Sequence, residues 1–99
     1  MAHVEFGPDV VRDVRRARRS GEAKRIAKAI AALERDDPGL DIVALQGRAP
    51  WRRLRSGDWR VIFRSLTTAE IRSLGRTGRG YLVARIVNRR DLERAIQSL

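Results

Sequence analysis

The stretch WRRLRSGDWRVIFR (51–64) alternates polar and apolar residues on both sides of a Ser-Gly-Asp turn signal, which is typical of a β-hairpin. A two-residue turn at Ser56-Gly57 would place Leu54 opposite Trp59 and Arg53 opposite Arg60. Because side chains alternate between the two faces of a strand, one face then carries the core residues Leu54, Trp59, Val61 and Phe63. The other face carries Trp51, Arg53, Arg55, Arg60 and Arg64.

The five arginines of this hairpin belong to a wider imbalance of charge. The chain carries a net charge of +10, and residues 1–40 contribute only nine basic and seven acidic groups. Residues 41–99 contain thirteen basic groups, all arginine, and five acidic groups. Arginine binds phosphate bidentately and stacks on bases. The excess in one half of the chain predicts a nucleic-acid partner, or an acidic protein that competes for the same face.

Composition and length exclude several classes of protein. The chain of 99 residues is expected to form one domain, 1–99. It has no cysteine and a single histidine, His3, so disulfides and thiolate metal sites are excluded and neither a metal nor another cofactor is expected. No apolar run approaches the ~18 residues of a membrane helix, and the segment MAHVEFGPDV (1–10) lacks the pattern of a signal peptide. A cytoplasmic protein without membrane contact is expected.

Two amphipathic helices are predicted in the N-terminal half. They follow a short strand, HVEF (3–6). GPDVVRDVRRARR (7–19) starts with Pro8 at the first helical position, and EAKRIAKAIAALER (22–35) places Ala23, Ile26, Ala27, Ile30 and Leu33 on one stripe. The Ser-Gly connection between the helices is so short that we expect an antiparallel pair.

The C-terminal half adds strands and a short helix. We expect residues 40–50 to be irregular and TTAEIRSL (67–74) to form a short strand. YLVARIV (81–87) is apolar on both sides and predicts an interior strand, and NRRDLERAIQSL (88–99) ends as a short helix. The order β-α-α-β-β-β-α predicts an α+β fold, with two N-terminal antiparallel helices packed on a small antiparallel sheet and a short C-terminal helix.

Two segments resemble the RelE/ParE superfamily of bacterial toxins: LQGRAPWRRLRSGDWRVIFR (45–64) and YLVARIVNRRDLERAI (81–96). The family pattern is a Leu-x-Gly, then an Arg-Leu-Arg-x-Gly-Asp-aromatic-Arg hairpin, then a strand that ends in a basic turn and a short helix. Here the hairpin motif is RLRSGDWR (53–60). The resemblance implies a RelE-like fold and a toxin that a cognate antitoxin neutralises. It also implies, for RelE-like members, cleavage of mRNA in the ribosomal A site beside ribosomal RNA.

The arginines suit that chemistry. In cleavage by internal transfer the 2′-hydroxyl attacks the adjacent phosphorus, which requires a proton acceptor, a proton donor for the leaving oxygen, and cations near the phosphoryl oxygens. By the resemblance, Arg60 and Arg89 hold the scissile phosphate, while Arg53 and Arg55 supply further phosphate contacts. Trp51 either stacks on a base or covers the edge of the core. The alternative for Arg55 and Arg64 is that they are solvated edge charges, and this is what we expect for Arg64.

The general base is the point at which this chain departs from the family. Several RelE-like toxins carry a tyrosine or histidine in the last helix, where this chain has Glu93, and Asn88 stands where histidine or lysine is common. Arginine is a poor base because its pKa stays above ~12. Glu93 is therefore the candidate base, or else an exposed residue paired with Arg89 or Arg90. Asp91 is expected to cap the last helix.

Three functions follow from the sequence. The first is a ribosome-dependent endoribonuclease, the second is a ParE-like toxin that poisons DNA gyrase, and the third is a basic RNA-binding module without catalysis. The missing tyrosine or histidine is what keeps the second function open.

Overall fold

The computed structural model describes residues 1–99 and has an α+β fold built on a five-stranded sheet. The strands are β1 (His3–Phe6), β2 (Ile42–Ala44), β3 (Arg52–Ser56), β4 (Trp59–Ser65) and β5 (Gly80–Asn88), in the spatial order β1-β5-β4-β3-β2. β1 runs parallel to β5, whereas the other neighbours are antiparallel. The predicted all-antiparallel sheet is therefore wrong. No hairpin joins β1 to β5, so local turn geometry does not determine their relative direction.

The helices are α1 (Val10–Arg19), α2 (Ala23–Glu34), α3 (Thr68–Ser73) and α4 (Leu92–Gln97). α1 packs on β5 and α2 packs on β3, and both contribute to the main core. Ala27, predicted to lie on the buried stripe of α2, is exposed. The antiparallel orientation of the two helices stays a prediction. The main core consists of Val10, Ala17, Ile26, Leu33, Leu54, Trp59, Val61, Phe63, Val83 and Ile86.

The hairpin turn lies one residue later than predicted. Gly57 and Asp58 form the turn, so Leu54 lies opposite Val61 and Arg55 lies opposite Arg60. Gly57 has a φ of 59°, the positive value that the first position of a type II′ turn requires. The partner of each β3 residue therefore lies two residues later on β4 than predicted. A shift of two leaves every side chain on its predicted face, so the four predicted core residues of the hairpin are all buried.

Two other predicted segments differ from the structure. Residues 67–74, predicted as a strand, contain helix α3. A capping box starts it: Thr67 Oγ1 accepts a hydrogen bond from the Glu70 N–H at 3.1 Å, and Glu70 Oε1 accepts one from the Thr67 N–H at 2.9 Å. The irregular region 40–50 contains the short strand β2, whose three residues are too few for a periodic signal.

Glu70 also binds Arg64. The guanidinium of Arg64 donates to both carboxylate oxygens, at 2.8 and 2.9 Å. Hydrogen bonds from Arg64 and from the Thr67 N–H lower the pKa of Glu70 from its ordinary 4.5 to about 2. The same ion pair raises the pKa of Arg64. α3 is therefore tied to β4 by an interaction that requires an ionised carboxylate.

A buried ion pair joins α1 to the sheet. β1 ends opposite Val83, so the rest of β5 has no strand on that side. The carboxylate of Asp13 fills this gap: Oδ2 accepts a hydrogen bond from the Ile86 N–H at 2.9 Å. Arg85 donates to the same carboxylate through Nε at 2.9 Å and Nη2 at 3.2 Å, which raises the pKa of Arg85. Asp13 is 1% exposed, so its carboxylate is removed from solvent, while the Arg85 side chain keeps 13% of its exposure.

The opposite face of the sheet is only partly covered. A second, smaller core lies there, formed by Leu45, Ile62, Val87, Ala95 and Ile96. α4 contributes the last two of these residues, as its predicted apolar face requires, and Trp51, Leu92 and Leu99 pack against the cluster. None of the helices combines the length and the apolar composition needed to cross a membrane.

We expect Asp13→Ala to lower the free energy of unfolding by about 3–5 kcal/mol, because the change leaves a mostly buried guanidinium and a buried backbone N–H without a partner. Urea unfolding followed by circular dichroism measures the change. The control is Asp9→Ala, which removes an exposed ion pair with Arg12 at 3.3 Å and should cost less than about 1 kcal/mol. Equal losses in the two variants would contradict the role given to Asp13.

The stability contributed by Glu70 should depend on pH. Because its folded-state pKa is depressed, the contribution is fully present above about pH 4.5 and is lost as the pH falls toward about 2. Wild type should therefore be more stable than Glu70→Gln at neutral pH, and the difference should vanish in acid. Urea midpoints over this range test the prediction, with Glu34→Gln as a control that removes no ion pair. A difference that does not change with pH would refute it.

Candidate functional site

Four arginines lie together at one end of the sheet, and we refer to Arg53, Arg55, Arg60 and Arg89 as the arginine cluster. Arg55 lies directly opposite Arg60, and Arg53 points to the same face two residues earlier on β3. Arg89 follows β5 in a 3-10 turn, Arg89–Asp91. Its backbone N–H donates to the carbonyl of Asp58 at 2.7 Å, which holds that turn against the tip of the hairpin.

Arg60 is the most constrained member of the cluster. Its Nη1 donates to the carbonyl of Gly57 at 2.9 Å and to its neighbour Trp59 at 3.0 Å, so the side chain folds back over the turn. Partial burial lowers the pKa of Arg60, and the positive charges of Arg53, Arg55 and Arg89 lower it further. These charges repel one another, and a bound anion would relieve the repulsion.

Carboxylates neutralise only part of this charge. Arg53 pairs with Asp41 at 3.3 Å, and Arg89 lies 3.7 Å from Asp58. Arg55 is exposed, and neither Arg55 nor Arg60 forms an ion pair. Four guanidinium groups therefore face two carboxylates, and this end of the sheet remains positive. A planar guanidinium matches two oxygens of a phosphate, so the cluster suits a phosphodiester.

Trp51 lies beside the cluster at the edge of the second core. Its half-buried ring packs against that core, and the guanidinium of Arg64 lies over the ring at 5.6 Å. Of its two predicted positions, the structure places Trp51 at the core edge, while its stacking on a base stays a prediction. Arg64 itself was predicted to be solvated, which is wrong because the unpredicted helix α3 brings Glu70 to it.

The other residues singled out near α4 are Glu93, Asp91 and Asn88, and none of them makes an ion pair with the arginine cluster. Glu93 is exposed in the first turn of α4 and makes no ion pair, since the partner of Arg89 is Asp58. Asp91 occupies the N-cap position of α4 without a capping hydrogen bond. The cap of the preceding turn comes from Asn88, whose Oδ1 accepts a hydrogen bond from the Arg90 N–H at 3.2 Å. The part of Glu93 in proton transfer stays a prediction.

Two carboxylates of this site were not predicted. Asp41 reaches Arg53 because it immediately precedes β2, a strand too short to recognise in the sequence. Asp58 is visible in the hairpin motif, but its partner Arg89 is 31 residues away and nothing local links them. The structure contains no group of three or more His, Cys, Asp or Glu side chains that could hold a metal ion.

Comparison with known proteins shows which solved structures share this fold. No family model and no curated protein sequence matches this chain. Among solved structures, YafQ of Escherichia coli BL21(DE3) is similar, with a TM-score of 0.68 and 16% identity over 93% of this chain and 98% of that one. A chain of the E. coli DinJ–YafQ toxin–antitoxin complex matches with a TM-score of 0.68 and 17% identity over 92% and 96%. A chain of the RelB–RelE antitoxin–toxin complex of Methanococcus jannaschii matches with a TM-score of 0.60 and 19% identity, over 90% of this chain and 94% of that one. The predicted resemblance is thus confirmed for the fold, and this chain is built like the YafQ and RelE toxins.

Proposed function

We propose that this protein is the toxin of a type II toxin–antitoxin pair and cleaves mRNA on the ribosome by internal transfer from the 2′-hydroxyl. The observation that carries the proposal is the arginine cluster, four convergent cations of which Arg55 and Arg60 have no ion pair. The fold supports it, because the similar structures include toxin–antitoxin complexes.

The cluster would act on the phosphodiester that is cleaved. The 2′-oxygen attacks phosphorus, the bond to the 5′-oxygen breaks, and the proton lost from the 2′-hydroxyl is balanced by one gained at the leaving oxygen. Negative charge grows on the phosphoryl oxygens, where Arg60 and Arg89 stabilise it. Arg53 and Arg55 hold neighbouring phosphates, and Trp51 borders the bound RNA. No metal or cofactor is required in this scheme.

Glu93 is our candidate for the base that accepts the proton of the 2′-hydroxyl. It follows Arg89 by four residues and is exposed to an incoming substrate. An arginine is unsuited to this step because its pKa stays above ~12. Arg89 is paired with Asp58, so the carboxylate of Glu93 is not engaged in the free protein.

The partners follow from charge and fold. We infer a cognate antitoxin with an acidic segment, which would neutralise the toxin by covering the arginine cluster or by displacing α4 from the second core. mRNA in the ribosomal A site and ribosomal RNA would be the other partners, in the cytoplasm. We also propose that α1 and α2 pack against each other as an antiparallel pair.

We expect Arg60→Ala to abolish growth arrest and to slow single-turnover cleavage on ribosomes by about 10²–10³-fold, because one preorganised donor to the phosphoryl oxygens is lost. Arg60→Lys should recover only part of the rate, since lysine keeps the charge without the planar pair of donors. The control is Arg72→Ala, which removes an exposed arginine of α3 outside the cluster.

Each other outcome identifies a different function. Undiminished arrest by a folded Arg60→Ala protein would exclude the cluster from toxicity. Blocked replication with intact mRNA would indicate the gyrase poison, and normal growth on expression of wild type would indicate the non-catalytic RNA-binding module.

For Glu93→Gln we expect single-turnover cleavage to fall by about 10²–10⁴-fold while ribosome binding is unchanged, because glutamine keeps the size of the side chain but cannot accept the proton. Glu34→Gln, a change of the same kind on α2, should keep the wild-type rate. A wild-type rate in Glu93→Gln would show that Glu93 is not the general base, and a group of the ribosome would then have to accept the proton.

A further inference from the structure

We propose that Asp41 is an internal counterion that occupies the arginine cluster in the free protein and is displaced when an RNA phosphate binds. The inference rests on the proposed function, since it concerns the same surface. It assigns to Asp41 control over RNA affinity.

The sheet places Asp41 in the same row as the cluster. β2 pairs with β3 so that Ile42 lies opposite Leu54, which puts Asp41 opposite Arg55, and the Arg55 N–H donates to the carbonyl of Asp41 at 3.0 Å. Arg55 in turn lies opposite Arg60. Directly opposite residues point to the same face of a sheet, so Asp41, Arg55 and Arg60 line one face across three consecutive chain segments.

The carboxylate of Asp41 acts on two members of the cluster. Its Oδ1 lies 3.3 Å from Nη1 of Arg53. It also opposes the lowering of the Arg60 pKa that the neighbouring arginines cause, so its charge reaches Arg60 as well. Asp58, the other carboxylate, lies at 3.7 Å from Arg89. Asp41 is therefore the carboxylate that a phosphate bound by Arg53 would have to displace.

The Asp41–Arg53 pair is suited to exchange. The side chain of Asp41 is 50% exposed, and exposed ion pairs contribute little to stability because water and salt compete with them. A phosphate offers a full charge and two oxygens in the plane of the guanidinium, which is a better partner for Arg53 than one oxygen at 3.3 Å. Binding RNA must break the internal pair, and the pair therefore reduces affinity for RNA.

The test is equilibrium binding of a short 2′-O-methyl single-stranded RNA, which cannot undergo internal transfer, to the purified protein. We expect Asp41→Asn to bind about 3–10-fold more tightly than wild type at low salt, because a competing negative charge is removed. The dependence of log K on log salt should also steepen by roughly 0.7, the value of one additional phosphate contact on a single strand.

The matched control is Asp9→Asn, which removes the same charge from an exposed ion pair of the same length, 3.3 Å, with Arg12 on α1. It should tighten binding less than Asp41→Asn and leave the salt slope unchanged. In an Arg53→Gln background the gain from Asp41→Asn should shrink, because the arginine that the carboxylate blocks is absent. Thermal unfolding checks that every variant is folded.

The outcomes separate this inference from the proposed function. If Arg60→Ala weakens RNA binding but Asp41→Asn binds no more tightly than Asp9→Asn, the interface stands and the counterion role is refuted. Weaker binding by folded Asp41→Asn would likewise refute it, since Asp41 would then help to hold Arg53 in place. If Arg60→Ala binds as tightly as wild type, the arginine cluster is not the RNA interface and both proposals fail.

Discussion

The buried contact of Asp13 with Arg85 and the Ile86 N–H is the interaction on which the rest of the structure depends. A carboxylate removed from water is costly unless charge and hydrogen bonds compensate for it, and here three donors do so. They come from β5, so α1 has one position in which Asp13 is satisfied. The same contact closes the free edge of β5 beyond Val83, and it leads directly into the segment that carries Arg89. A single carboxylate thus joins α1 to the strand that leads into Arg89.

Carboxylates also decide what each arginine of this chain does. Arg85 pairs with a buried carboxylate and ties α1 to β5, whereas Arg64 pairs with Glu70 and ties α3 to the sheet. The cluster differs because its carboxylates are too few and too exposed to neutralise it. An excess of arginine in the sequence is therefore not itself a binding surface. The binding surface proposed here consists of the arginines that the sheet brings together without enough carboxylate to neutralise them.

The sequence predicted the faces of the hairpin but not its register. Alternation of apolar and polar residues places Leu54 and Val61 on the core face in either register, because the observed shift is by two residues. The residue that decides the register is Gly57, whose positive φ belongs at the first turn position, and a Ser-Gly-Asp sequence allows either choice. The hairpin members of the cluster, Arg53, Arg55 and Arg60, therefore lie on one face as expected. The two that lie directly opposite each other are Arg55 and Arg60, rather than the predicted Arg53 and Arg60.

Long-range contacts account for most of what was missed. Asp13 sits among arginines on α1 and looks like an ordinary surface helix residue, and its partner Arg85 is 72 residues away. The parallel pairing of β1 with β5 is equally non-local. α3 is a different case, because its Thr67-x-x-Glu70 capping box is a local signal that the β-branched threonines obscured.

The open end of the sheet explains why charge and stability need not conflict in this fold. The main core lies under α1 and α2, and α4 covers only part of the opposite face, so the cluster is displayed where its repulsion costs little in water. A bound phosphate backbone would displace the water that screens the arginine charges from one another, but its own negative charges would then compensate for them. The same positive charges that lower the pKa of Arg60 in the free protein would attract an anionic ligand. This attraction is strongest for the ligand or transition state that carries the most negative charge. If RNA binds here as proposed, such a surface would stabilise the more highly charged transition state of phosphodiester cleavage more than the ground state, which is the physical requirement for the proposed activity.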